Sequence, residues 1–184
     1  RKQKLGSFAL GLAIASALAV GFAAAANACM PPPLRAEREG GAIAGLTDRD
    51  IADLRAGRGW ALAMSAEVNG HPGPLHVIEL ADKLGLTAQQ RDRVRKIFEA
   101  MKAKAQAVGA KYLSAEKALD EAFKSGTAEA ATVAHRVDET EKLRAELRLI
   151  HLLAHLETTP LLTPEQIRLY NRLRGEHRSG RAKH

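Results

Sequence analysis

Cysteine is almost absent from this sequence, since Cys29 is the only one among 184 residues. A single thiol excludes an internal disulfide bond. Aromatic residues are also scarce, at 4% of the chain, while Ala, Leu, Arg, Lys and Glu dominate. That composition is typical of helices. We therefore predict an all-α fold that has no disulfide support.

The residue patterns that mark a catalytic centre are missing as well. We find no Ser/His/Asp arrangement, Gly-rich phosphate loop or spaced carboxylate pair in the sequence. Gly57 and Gly59 do not follow a predicted strand, so they do not indicate a nucleotide site. The acidic residues usually stand beside Lys or Arg on predicted helix faces, which is a solubility pattern. We predict that the protein is not an enzyme.

Residues 1–28 have the features of a cleavable signal peptide. Arg1, Lys2 and Lys4 form a basic start, and residues 5–26 then carry no charge. Ala26 and Ala28 supply the small residues that a signal peptidase requires. We predict cleavage after Ala28 and export to the periplasm. The alternative is that the uncharged run stays in the bilayer as an anchor.

Cys29 would be the first residue of the mature chain. A cysteine in this position is the lipidated residue of bacterial lipoproteins, and lipidation would anchor the protein to a membrane. Lipoprotein sites usually have Leu three residues before the cysteine, where this chain has Ala26. We therefore favour a free or pairing thiol, and we predict a membrane partner only if Cys29 is lipidated.

Positive charge exceeds negative charge, with 28 Lys and Arg against 21 Asp and Glu, or +7 overall. Cleavage after Ala28 leaves +4, because the signal peptide carries three positive charges and no negative ones. The isoelectric point of about 9.8 would suit a nucleic-acid-binding protein. Export argues against nucleic acid, so we predict that the basic surface meets unfolded polypeptide or anionic lipid instead.

A short motif occurs three times, as LTDRD from Leu46, LTAQQ from Leu86 and LTPEQ from Leu162. In each, Thr is placed to cap a helix, and the side chain three residues later can reach back to the capping residue. Pro164 follows the third Thr at the first helical position, which proline tolerates. The predicted cap residues are Thr47, Thr87 with Gln90, and Thr163 with Gln166, while Asp50 fits the pattern less well.

Hydrophobic periodicity predicts two long helices, over residues 87–124 and 128–158. Each carries apolar residues in steps of three and four, which is a heptad seam. The short Ser125–Gly126 turn between them requires antiparallel packing. A hairpin leaves much of its surface open, so we also predict a homodimer.

Shorter helices flank this hairpin in the prediction. One covers residues 48–68, with a kink or break expected near Trp60 because Gly57 and Gly59 weaken its middle. Another runs from Pro74 to Gly85, and a last one begins at Pro164 and ends at Gly175. The predicted organisation is a signal peptide at 1–28, a Pro- and Gly-rich tether at 29–45, a helical domain at 46–174 and a disordered basic tail at 175–184.

Two segments resemble the Spy/CpxP family of periplasmic LTxxQ-motif proteins. They are LGLTAQQRDRVRKIFEAMKAKA from Leu84 and LRLIHLLAHLETTPLLTPEQIRLYNRL from Leu147, and the resemblance covers residues 75–174. It implies a cradle-like helical homodimer that acts as an ATP-independent chaperone, as an envelope-stress protein or as a heavy-metal-sensing relative. It also raises a sensor kinase as a partner. Residues 46–73 have no counterpart in the family pattern.

The start of the first long helix is rich in cations beside apolar residues. Arg91, Arg95 and Lys102 share one flank of the seam that contains Phe98 and Met101. Such a surface suits partly unfolded envelope proteins, because charge speeds encounter and adaptable apolar side chains hold exposed segments. We predict client binding at these five residues. The alternative is a solvated helix face beside an ordinary core.

His151 and His155 lie four residues apart, on one face of the second long helix. This spacing suits Zn²⁺ or Cu²⁺, although two ligands leave a site incomplete. His76 is the predicted third contributor if its short helix packs nearby, whereas His135, His177 and His184 are predicted to lie on the surface or in the tail. The alternative is that the pair flanks the helical seam as part-buried polar residues. We predict no other cofactor.

Overall fold

The computed structural model of the protein describes residues 42–181, with side chains as far as residue 175. Residues 1–41, which include the predicted signal peptide and Cys29, lie outside the described residues. The described part is helical and contains no strand, apart from an isolated bridge between Ile43 and Leu46. Its helices are α1 (Asp48–Arg55), α2 (Met64–Glu67), α3 (Pro74–Glu79), α4 (Ala88–Lys124), α5 (Ala130–Thr158) and α6 (Pro164–Arg181), with a 3-10 turn at Thr159–Leu161 between the last two.

The predicted all-α hairpin is confirmed. Helices α4 and α5 pack against each other along their length, and α5 begins two residues later than expected. Gly126 allows the tight reversal because it adopts φ +71°, a conformation that side chains with a Cβ disfavour. The buried seam contains Val94, Met101, Ala105, Val108, Tyr112, Ala115 and Ala122 from α4, and Thr140, Leu147 and Ala154 from α5. None of the helices between residues 42 and 181 is long and apolar enough to cross a membrane.

The segment predicted as a helix over residues 48–68 is broken near Trp60, where the two glycines indicated a kink or break. It divides into α1 and α2, because Gly57, Trp60 and Ala61 all adopt positive φ angles. The strained Trp60 is held in place by a hydrogen bond from its Nε1 to Asp50 Oδ1 at 2.7 Å. Its ring also lies 5.9 Å from that of Tyr112. Tertiary contacts therefore fix the break that the glycines permit.

Other boundaries also differ from the prediction. Helix α3 ends at Glu79, and a turn continues to Gly85, which has φ +60°. Helix α6 continues through Gly175 to Arg181, so the expected helix end at Gly175 is wrong. Glycine inside a helix costs about 1 kcal/mol, which a helix can absorb. Within the predicted tether, Ile43 is buried, so the ordered core begins before residue 46.

The N-terminal segment lies against one side of the hairpin. Helix α1 crosses α4 so closely that a Cβ on Gly109 would lie 2.6 Å from the Leu54 carbonyl oxygen. Because Gly109 has no side chain, α1 and α4 can approach each other this closely. The resulting core contains Ile43, Leu46, Ile51, Leu54, Ala105, Val108, Tyr112, Leu113 and Leu147.

A second core joins α3, the start of α4 and α6. Val77, Val94, Leu162 and Tyr170 are almost fully buried in it. Burial of each such side chain contributes about 1.5–3 kcal/mol. This core brings the start of α6 back to the start of α4, at the open end of the hairpin.

The two glutamines of the LTxxQ boxes meet at that end. Each forms the predicted capping box: Thr87 N–H donates to Gln90 Oε1 at 2.9 Å, and Thr163 N–H donates to Gln166 Oε1 at 2.9 Å. Each amide also donates across the junction. Gln90 Nε2 lies 2.9 Å from Gln166 Oε1 and 2.8 Å from the Leu161 oxygen, while Gln166 Nε2 lies 3.2 Å from Gln90 Oε1. The two boxes therefore form one hydrogen-bonded unit, which we call the glutamine pair.

Glycine-to-alanine substitutions at two helical positions are expected to act in opposite directions. Gly109→Ala places a methyl group against the Leu54 carbonyl and should lower the free energy of unfolding by about 1–3 kcal/mol, despite better helix propensity. Gly175→Ala meets no atom within 4 Å and should raise it by about 0.5–1 kcal/mol. Urea unfolding followed by circular dichroism measures both. Stabilisation by Gly109→Ala would contradict the close α1–α4 contact.

Gln90→Glu tests the glutamine pair. A glutamate retains the oxygen that caps α4, but it cannot donate to Leu161 or Gln166, and its charge faces an amide oxygen. We expect a loss of about 2–3 kcal/mol in the free energy of unfolding at neutral pH. The neighbouring Gln89→Glu is the control, because Gln89 is exposed. Equal stability of the two variants would show that the cross-junction hydrogen bonds contribute little.

Candidate functional site

A cavity of about 340 Å³ lies between the N-terminal segment and the hairpin. The loop after α1 forms one wall, the start of α3 forms another, and α4 and α5 form the floor. Gly57 lines the loop wall, and its positive φ brings it against the Lys102 backbone oxygen, which lies 2.8 Å from the position of a Cβ. The lining consists of Ala56, Gly57, Arg58, Gly59, Gly73, Pro74, Leu75, His76, Phe98, Met101, Lys102, His151 and His155.

Three of the five predicted client-binding residues line this cavity. Met101 is buried, Phe98 is half-buried and Lys102 is exposed. Arg95 is exposed but does not line the cavity. Arg91 is engaged elsewhere: its guanidinium lies 2.9 Å from Asp82 Oδ1, and its Nε donates to the Leu86 oxygen. The five predicted residues therefore do not form one cluster. Three line the cavity, Arg95 lies on an open helix face, and Arg91 is held in an ion pair.

The same cavity is lined by the three histidines that were predicted as metal ligands, His76, His151 and His155. The Nδ1 of His155 lies 2.7 Å from the His71 carbonyl oxygen. Because a carbonyl only accepts, Nδ1 must carry the proton, and Nε2 of the neutral ring then has a lone pair. Gly73 lies against this edge of the ring, since a Cβ there would be 2.9 Å from Nε2. His151 and His155 are both buried, and both line the cavity.

A buried polar network lies beside His155. Glu67 Oε2 lies 3.9 Å from His155 Nδ1. Glu67 Oε1 accepts hydrogen bonds from the Tyr170 hydroxyl at 2.8 Å and from Arg174 Nε at 3.0 Å. The network joins α2 to α5 and α6, so residues 46–73 are part of the fold rather than an appendage. No sequence signal linked Glu67 to Tyr170, because the two lie more than 100 residues apart.

His151 is buried without a partner. Only 3% of the residue is exposed, and its Nε2 forms no hydrogen bond with any residue of the described range. Burial, together with repulsion from His155, lowers the pKa of His151 below its ordinary value of 6.5. The imidazole is therefore neutral at pH 7.

The described residues supply no third ligand for the metal site predicted at His151 and His155. Among residues 42–175, no group of three or more His, Cys, Asp or Glu side chains is arranged to hold a metal ion. His76 reaches the cavity, but its Nδ1 lies 2.8 Å from Glu79 Oε2. A site for Zn²⁺ generally needs three or four ligands.

A second surface lies on the outer side of α5. Leu149, Leu153 and Leu156 are 54%, 45% and 55% exposed, and their spacing places them on one helix face. Leu153 also borders a shallow groove between α4 and α5, together with Ile97 and Ile150. We call this surface the leucine face. This face was not predicted from the sequence, although leucines at steps of four and three outside the predicted seam were the available signal.

The sequence profile of a known family matches residues 75–174, described as the LTXXQ motif family. The match covers more than half of the chain and contains both glutamine boxes. The chain belongs to the LTXXQ motif family. No curated protein and no solved structure matches the chain significantly. The predicted resemblance to Spy/CpxP-type proteins is confirmed.

In this LTXXQ protein, the family segment begins in α3 and ends in α6. It therefore includes the leucine face and the floor of the cavity, whereas the loop wall and Glu67 come from residues outside it. Family membership supports a Spy/CpxP-like protein.

The lowered pKa of His151 predicts a loss of stability in acid. Below about pH 6.5 the unfolded chain binds a proton at His151 that the folded chain resists, so the free energy of unfolding falls as the pH falls towards the folded pKa. His151→Leu should reduce this slope and should not destabilise the fold at neutral pH. Urea titrations between about pH 8 and pH 5.5 measure both.

The comparison isolates His151 because the other ionisable groups around the cavity are present in both proteins. They are His76, His155, Arg58 and Lys102. Parallel stability curves for the wild type and His151→Leu would show that His151 is protonated as easily in the folded state as in the unfolded one.

Proposed function

We propose that this LTXXQ protein is a periplasmic, ATP-independent chaperone or envelope-stress protein that binds partly unfolded polypeptide on its leucine face. The observation that carries the proposal is the exposure of Leu149, Leu153 and Leu156 on one side of α5. Large apolar side chains that share one exposed face are typical of an interaction site. Their burial against a client would contribute to binding without any nucleotide.

The surroundings of the leucine face suit an extended, sequence-diverse partner. The groove beside it has an apolar floor at Ile97 and Ile150 and a polar margin at Lys104 and Glu157. A shallow groove of this kind can contact apolar side chains without enclosing them, which favours weak and reversible binding. The net positive charge of the chain assists encounter with acidic unfolded segments.

The N-terminal segment covers one side of the hairpin and leaves the other side open for a client. Helix α1 and the loop at residues 56–59 cover the side that contains Lys102 and Gly109. The groove that contains Ile97, Ala100 and Lys104 lies on the other flank of α4. We therefore place the client contact on the leucine face. Phe98, Met101 and Lys102 line the cavity on the covered side, whereas Arg95 stays on an open face of α4.

A second copy of the chain is the other occupant that the leucine face would accept, and the predicted homodimer remains a proposal. Binding of Zn²⁺ or Cu²⁺ by His151 and His155 likewise remains a prediction. The exposed leucines favour the chaperone over a metal sensor, because metal binding at the cavity gives them no role.

The test is suppression of aggregation by the purified protein without nucleotide. A client unfolded in denaturant is diluted into buffer, and light scattering is followed. We expect the wild type to suppress scattering at near-stoichiometric ratio. The triple variant Leu149→Ser, Leu153→Ser, Leu156→Ser should lose most of this activity while remaining helical, because exposed serines cost only about 0.5 kcal/mol each in helix propensity.

The matched control replaces exposed apolar residues near the hairpin turn. Phe123 and Val137 are 60% and 43% exposed, so Phe123→Ser, Val137→Ser removes a similar kind of surface elsewhere. This variant should retain wild-type activity. Failure of the wild type to suppress aggregation at several-fold excess would reject the chaperone. A triple variant that becomes monomeric but keeps full activity would assign the leucine face to dimerisation.

A further inference from the structure

A second cavity, of about 400 Å³, lies between the loop that contains Trp60 and the middle of α5. It shares no lining residue with the histidine-lined cavity and does not include the leucine face. Its volume falls in the range of small-molecule sites. We call it the tryptophan pocket. Its walls include Trp60, Ala61 and Leu62 from the loop, Met64 from α2, and Arg144 and Arg148 from α5.

The wall formed by the loop and α2 is apolar. Trp60 and Leu62 are half-buried, and 47% of Met64 is exposed. The indole nitrogen of Trp60 already donates to Asp50 Oδ1 at 2.7 Å, so the ring has no donor left for a ligand. This wall therefore offers a ligand carbon atoms and the Met64 sulfur, which suit an apolar group.

The backbone that carries this wall is strained. Trp60 and Ala61 adopt φ angles of +40° and +56°, although neither residue is glycine. Residues in this left-handed region cost free energy, and they cluster at ligand sites and other functional positions. Here the strained pair lies at the edge of the tryptophan pocket, across from α5. The strain is a reason, separate from the shape of the pocket, to infer a function for it.

The α5 wall carries the charge. Arg144 and Arg148 are four residues apart, so they lie on the same face of the helix. No hydrogen bond or ion pair with another described residue involves the Arg148 side chain. Arg144 Nη1 lies 3.5 Å from Glu141 Oε2, and both side chains are more than half exposed, so this ion pair contributes little and can be exchanged.

The charges that line the pocket leave an excess of one positive charge. Two arginines stand against one glutamate, Glu141. Asp50 also contacts Trp60, but it already accepts hydrogen bonds from Thr47 and Trp60 and does not line the pocket. A ligand with a single negative charge therefore balances the lining, whereas a phosphate group with two negative charges does not.

We propose that the tryptophan pocket binds a carboxylate carried on an apolar group. The carboxylate faces Arg144 and Arg148, and the apolar group packs against the opposite wall at Trp60, Leu62 and Met64. The C-terminal residue of a polypeptide and a fatty acid both present this chemistry. The pocket contains none of the three leucines of the leucine face, so ligand binding here is measured separately from chaperone activity.

Trp60 is the only tryptophan in the chain, so its fluorescence reports on the pocket. The full-length protein is titrated with N-acetyl-L-phenylalanine, and we expect a saturable change with a Kd of about 1 mM. The corresponding amide keeps the ring but has no charge, so it should bind about 5-fold more weakly and without dependence on salt. N-acetylglycine keeps the carboxylate without the ring and should bind about 10-fold more weakly.

Octanoate distinguishes the two sources of the carboxylate in the same titration. Tighter binding of N-acetyl-L-phenylalanine than of octanoate would support the proposal with the end of a polypeptide as the ligand. Tighter binding of octanoate would support it with a fatty acid as the ligand.

Two variants assign the two walls. Arg148→Gln should weaken binding of N-acetyl-L-phenylalanine about 5-fold and leave binding of its amide unchanged. Met64→Ser should weaken both compounds about 3-fold, because it removes part of the apolar wall. Both residues are exposed, so circular dichroism should show an unchanged fold. Arg95→Gln is the matched control for Arg148→Gln, because Arg95 is exposed on α4 and does not line the pocket.

Four outcomes would contradict the carboxylate site. The first is a Trp60 signal that does not change at about 10 mM N-acetyl-L-phenylalanine, well above the expected Kd. The second is equal affinity for the acid and its amide. The third is unchanged affinity for the acid in a folded Arg148→Gln variant. The fourth is tighter binding of phenyl phosphate than of either carboxylate, since a doubly charged ligand would then be preferred.

Discussion

The paired side-chain amides of Gln90 and Gln166 are the constraint on which the architecture depends. Each caps its own helix with its oxygen and donates with its nitrogen to the other box. A glutamate would complete an ordinary capping box, but it has no proton to donate across the junction at neutral pH. The second role therefore explains why glutamine stands in both boxes. It fixes the start of α6 against the start of α4, and Tyr170 is then placed to bind Glu67.

The N-terminal segment makes the two flanks of the hairpin different from each other. An isolated hairpin exposes two flanks, and the segment buries one of them through Ile51, Leu54 and the close contact at Gly109. The other flank, which carries the leucine face, remains uncovered in the described chain. The cavity arises because the loop at residues 56–59 bridges the hairpin without filling the space above His151 and His155. One added segment thus accounts for both the closed side and the cavity.

The features that depend on residues close together in the sequence were predicted correctly. The capping threonines, the Ser125–Gly126 turn and the long seams follow from neighbouring residues, and the structure has them. The failures occurred where distant residues decide. The glycines indicated a break near Trp60, but not the contacts with Asp50 and Tyr112 that hold it in place. Gly175 was expected to end α6 and does not. Likewise, Phe98 and Met101 belong to a cavity wall because α1 and α3 pack over them. Periodicity identified these residues as apolar but did not show which face the N-terminal segment would cover.

The order of residues along α5 argues that stability alone does not explain this chain. Between residues 149 and 156, two histidines point into the protein and three leucines lie at the surface. Exchanging the two sets would bury more apolar area and relieve an unpaired imidazole, so the arrangement costs stability on both faces. Features that oppose stability are typical of functional positions. The inversion occurs where the cavity and the leucine face lie back to back on one helix. The same two turns of α5 therefore supply a polar wall to one surface and an apolar contact to the other.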